Sequence, residues 1–100
     1  MWFITVVEKM EPDEQFGVLL GDHRTWGYYV ERERAELALH ENRTDMWEYC
    51  YEYAVLEKFG PGVVADCEER QWFKYDRERD GYFEIDEPEC VRNIVNFALG

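Results

Sequence analysis

Thr25-Trp26-Gly27-Tyr28-Tyr29-Val30 runs directly into Glu31-Arg32-Glu33-Arg34-Ala35-Glu36-Leu37-Ala38-Leu39-His40-Glu41. The first six residues are β-branched or aromatic around one glycine and read as a strand. From Glu31 the period changes. Ala35, Ala38 and Leu39 fall on one helical face, Arg32 stands four residues before Glu36, and strong helix formers fill the positions between. A helix over 31–41, ended at Asn42, is expected. The switch from a period of two to one of 3.6 inside a short chain decides for a mixed fold.

Upstream, Trp2 to Met10 is apolar on both alternating faces, which predicts a central strand broken by Glu11-Pro12-Asp13-Glu14. Phe16 to Leu20 is a short apolar run, either a brief strand or a packed loop. Downstream, Asp45 with Glu48 forms a capping box for a short second helix carrying Met46, Trp47 and Cys50. Tyr51 to Phe59 is strand-like and closes at Gly60-Pro61-Gly62. Gln71–Asp76 and Tyr82–Asp86 alternate around Asp80-Gly81 and predict a hairpin. The tail from Pro88 reads as a helical turn followed by a strand. Short connections favour antiparallel pairing. The expectation is a single α+β domain over residues 1–100, a two-layer sandwich. Its mostly antiparallel sheet of four to five strands carries the main helix and the short second helix on one face.

Composition limits the function. The 46 % hydrophobic content is enough for a core in 100 residues. No apolar run approaches the length of a membrane span, and the start lacks a basic n-region, so it reads as a strand and not as a signal peptide. Three widely spaced cysteines, Cys50, Cys67 and Cys90, fit no disulfide framework and read as reduced, buried thiols, so the cytoplasm is the expected compartment. Net charge is −12 and uneven: −6 over residues 44–69, +2 over 70–79 and −4 over 80–100. Such a field repels nucleic acid and anionic membranes and attracts basic protein surfaces. With 17 aromatic residues, some rings must remain exposed.

Few constellations carry chemistry. Asp76 to Glu87 places oxygen ligands at positions 1, 3, 5, 9 and 12 of an EF-hand-like loop, with Gly81 at position 6. It departs at position 3, where Glu78 stands, and Pro88 follows Glu87 where an exiting helix is required. A hairpin is the simpler account. Zinc lacks closely spaced Cys or His pairs. The chain has no serine, which excludes a Ser-His-Asp arrangement. A Cys–His pair has no local signature, and Asp22-His23-Arg24 in a glycine-bounded loop is the one acid–base candidate. Neither metal nor cofactor is expected.

What remains is surface. Asp45, Glu48, Glu52 and Glu57 interleave with Trp47, Tyr49, Tyr51 and Tyr53, and a second acidic run holds Glu84, Asp86, Glu87 and Glu89. Rigid rings among carboxylates suit a basic protein partner, and spaced carboxylates can imitate a phosphate backbone. The motifs Trp2-Phe3-Ile4-Thr5, Arg24-Thr25-Trp26-Gly27-Tyr28-Tyr29, Trp72-Phe73-Lys74-Tyr75-Asp76, Gly81-Tyr82-Phe83 and Asn96-Phe97-Ala98-Leu99-Gly100 carry a resemblance. The whole chain resembles a group of small acidic proteins of gut-dwelling Firmicutes, their phages and mobile elements. That resemblance implies a mobile-element setting, in which short acidic proteins antagonise host defence. The expected function is a non-enzymatic interaction module, an anti-CRISPR-like inhibitor. It would bind a basic, nucleic-acid-binding surface such as that of a host nuclease, with no direct nucleic-acid or membrane contact. A homodimer is compatible with it. The rival readings are a nucleotide or small-ligand sponge, using Trp72 with Arg70, Lys74, Arg77 and Arg79, and a calcium-binding regulator through 76–87.

Overall fold

A strand that is apolar on both faces must lie inside a sheet with cover on each side. The computed structural model of the chain, which describes residues 1–15, 17–42, 51–60 and 67–91, places Trp2–Val7 there as β1. It is followed by β2 (Met10–Asp13), β3 (Gly17–Leu20), β4 (His23–Tyr29), α1 (Arg32–His40), β5 (Tyr53–Phe59), β6 (Cys67–Asp76), β7 (Gly81–Ile85) and a 3-10 turn (Glu89–Val91). The fold is α+β. Its main sheet has five strands in the order β4-β1-β5-β6-β7, antiparallel throughout. The strands β2 and β3 form a separate antiparallel ribbon.

Alternation sorts the core into two. Trp2, Ile4, Val6, Ala54, Leu56, Phe73 and Tyr82 pack beneath Ala35, Ala38 and Leu39 of α1. Val7, Val55 and Trp72 face the other way and are met by Val91 of the 3-10 turn. The helix is nearly as the sequence gives it: Arg32 and Glu36 pair at 3.1 Å, and Asn42 stops it in the left-handed region at φ 49°. Among the described residues, no helix is long and apolar enough to cross a membrane.

The strand β4 starts two residues early at His23 and β5 two residues late at Tyr53, and three further differences have a physical cause. The first strand ends at Val7, because the backbone bends at Glu8 after one last bond towards each neighbour. Its N–H goes to Asp22 O at 2.8 Å, while its carbonyl accepts from Glu52 N at 3.3 Å. Pro12 does not break a strand but sits within β2 opposite Val18, where the free outer edge of a two-stranded ribbon tolerates a missing N–H. The strand β6 begins at Cys67, four residues before the expected start, because opposite charges align across the ladder, Glu57 with Arg70 and Lys58 with Glu69. The expected second helix near 45–50 and the expected tail strand lie outside the described residues.

Candidate functional site

Of the first acidic–aromatic stretch, Asp45, Trp47, Glu48 and Tyr49 lie outside the described residues. The structure separates the other four, and Tyr51 is buried in the core. Glu52 is half-exposed and pairs with Lys74 at 3.5 Å, and the same ammonium lies 5.6 Å from the ring centre of Tyr53. Glu57 is not on the surface at all. It is 0 % exposed, and its Oε2 accepts from Arg70 Nε at 3.1 Å and Nη2 at 3.0 Å. A carboxylate so enclosed can touch no partner, so Glu57 leaves the set of surface residues and becomes half of a buried ion pair. Glu87 reaches the same guanidinium at 3.8 Å, on Nη1.

Cys67 shares this neighbourhood. It and Cys90 are free and only half-buried, where full burial was expected, and Cys50 lies outside the described residues. Burial and the negative charge of Glu57 push the Cys67 thiol up to about 11. At neutral pH roughly one molecule in ten thousand then holds the thiolate, which makes a poor nucleophile. Alkylation of Cys67 by iodoacetamide is expected to rise about tenfold per pH unit from pH 7 towards 10. A flat rate across that range, read by mass spectrometry, would contradict the assignment.

The second acidic run stays on the outside. Glu84, Asp86, Glu87 and Glu89 are all exposed, on β7 and its exit into the 3-10 turn. That turn packs against β2, where Glu11 in the strand and Glu14 just beyond it are also exposed. No base interrupts the chain between Glu84 and Glu89.

The twelve-residue EF-hand-like match folds as a hairpin between two strands, and among the described residues neither of the flanking helices such a loop requires is present. Its first oxygen ligands are already engaged. Asp76 accepts from Arg79 Nε at 2.9 Å and from the backbone N–H of Glu78 at 2.9 Å, and these donors, Arg79 foremost, hold its carboxyl below the usual range. Asp80, in the left-handed region at φ 50°, accepts from the Tyr75 hydroxyl. Among the described residues, no group of three or more His, Cys, Asp or Glu side chains is arranged to hold a metal ion.

The basic platform expected around Trp72 is differently built. Trp72 is 1 % exposed and belongs to the core, and Arg70 is committed to Glu57. The exposed part is an open groove of about 500 Å³ bounded by Lys74, the 76–79 turn and Phe83 to Ile85. Phe83 is the ring there, but the Arg79 guanidinium lies 3.6 Å from its centre and the His40 imidazole stacks on it at 4.6 Å. Lys74, Arg77 and Arg79 are balanced by Asp76, Glu78 and Glu84 along the same groove, so it offers no net positive charge to a phosphate. The acid–base candidate Asp22-His23-Arg24 is not a loop, because His23 and Arg24 open β4 and pair with Val7 and Val6. Asp22 Oδ2 accepts from the Tyr51 hydroxyl at 2.7 Å, which raises the phenol, and Arg24 stands at 4.0 Å.

No protein-family model, curated protein or solved structure matches the chain.

Proposed function

We propose that the chain is a non-enzymatic protein-interaction module whose exposed carboxylates engage a basic, nucleic-acid-binding surface of another protein. The observation that carries this reading is the run Glu84, Asp86, Glu87 and Glu89, exposed along one sheet edge and its exit with no intervening base. In a chain of net charge −12, such an edge concentrates negative potential where a cationic groove can meet it. The sheet and α1 would form the two layers of a sandwich that holds this edge rigid. An anti-defence role against a host nuclease in the cytoplasm follows from the resemblance to mobile-element proteins, and it shares this mechanism.

The test is a pull-down from bacterial lysate at low and high salt, followed by challenge with duplex DNA. Capture should fall steeply with salt, and DNA should release the partner from the column. Replacing Glu84, Asp86, Glu87 and Glu89 together by glutamine should weaken binding to that partner about a hundredfold, mainly through the association rate. Capture indifferent to salt, or retained in full by the quadruple variant, would refute the electrostatic mechanism. The 500 Å³ groove beside Phe83 favours the second reading, a small-ligand binder. A rise in melting temperature with a nucleotide, abolished by Phe83→Ala, would select it instead.

A further inference from the structure

Among the described residues, three of the four exposed large apolar side chains meet at one corner of the sheet: Met1 at 46 %, Tyr28 at 65 % and Val30 at 78 %. The ladder puts them together. Met1 and Phe59 exchange both backbone hydrogen bonds, at 3.1 and 2.9 Å, so they stand directly opposite and share a face. Phe3, two residues on, meets the Phe59 ring edge-on at 5.6 Å and the Tyr28 ring at 5.8 Å. Extending the pairing of Trp2 with Tyr29 by one residue brings Val30 beside Met1. Phe59 alone of these five is sealed. Next to the corner lies a groove of about 380 Å³ lined by Tyr28, Tyr29, Val30, Glu31 and Arg34.

Charge selects the occupant. Two copies of a chain at −12 repel over most of their surface, whereas residues 23–34 carry three arginines against two glutamates. Glu31 and Arg34 border the groove 3.7 Å apart, both well exposed. An apolar centre with one rim charge of each sign is complementary to itself across a two-fold axis. We propose that this corner is the interface of a symmetric homodimer. Tyr28 and Val30 of each copy enter the groove of the other, and each Glu31 faces the Arg34 of its partner. Since β4 and β7 are opposite edges of the sheet, the dimer leaves both acidic edges outward and presents them as a pair.

Light scattering on a sizing column is expected to give twice the 12.1 kDa chain mass. Tyr28→Glu should be monomeric with an unchanged circular dichroism spectrum. Glu31→Arg and Arg34→Glu should each weaken dimerisation about tenfold, because each sets like charges opposite one another twice. An equimolar mixture of those two variants should recover the wild-type dimer, since both contacts become attractive again in the heterodimer. A wild type still monomeric at about 100 µM, a dimeric Tyr28→Glu, or a mixture no better than its components would each overturn the proposal.

Discussion

Arg70→Met is expected to destabilise the protein by about 3–5 kcal/mol, the range for leaving one partner of a buried ion pair behind. Methionine keeps most of the arginine stem, so packing changes little, but the wholly buried Glu57 carboxylate loses its cation. Glu87, which also reaches Arg70, is exposed to water, whereas Glu57 is 0 % exposed. The double variant Glu57→Leu, Arg70→Met should therefore recover most of the loss, since it removes both desolvated charges at once. The contrast is Lys74→Met, which breaks the half-exposed pair with Glu52 and should cost no more than about 1 kcal/mol. Urea unfolding followed by tryptophan fluorescence measures all three. A cost below about 1 kcal/mol for Arg70→Met would show that Glu57 is not isolated from water as described.

The same pair shows where the sequence was legible and where it was not. Period located α1, β4 and the β6–β7 hairpin because each runs to a definite stop: Asn42, Val30, Asp80-Gly81. Period cannot say which face is covered when both are apolar. Tyr53-Ala54-Val55-Leu56-Glu57-Lys58-Phe59 alternates without a solvent side, so Glu57 looked like one more surface acid among many. The signal that could have found it is its position between Val55 and Phe59, with Arg70 arriving opposite once the register is set by Ala54 against Phe73. Trp72 was misplaced for the same reason. On a strand buried on both faces, the ring beside an arginine can be core, and the ring at the groove is the half-buried Phe83 on the next strand. The acids at 84–89 stay exposed because they lie at the sheet edge and beyond it.

That edge depends on one glycine. A Cβ added at Gly81 would lie 1.8 Å from the His40 carbonyl oxygen and 2.6 Å from its carbon, both backbone atoms at the end of α1. No rotamer relieves such an overlap, so either the helix end or β7 must move. Moving them breaks the clasp that covers this sheet edge. The His40 Nδ1–H donates to Tyr82 O at 2.8 Å, and the same imidazole stacks on Phe83. Gly81→Ala is therefore expected to cost at least about 4 kcal/mol, lowering the melting temperature by about 15 °C or more, if the variant folds at all. Gly27→Ala is the control. It lies on the opposite edge strand with nothing within 4 Å of an added Cβ, and should stay within about 1 kcal/mol of wild type. Hydrogen exchange separates local from global damage in a folded Gly81→Ala: protection should fall first in β7 and at the end of α1, and last in β1 and β5. Because Glu84 to Glu89 hang from β7, partner capture should fall with β7 protection even where the other strands hold. A Gly81→Ala that melts within a few degrees of wild type would show that the helix end does not rest on β7, and would remove the rigid support on which the acidic edge relies.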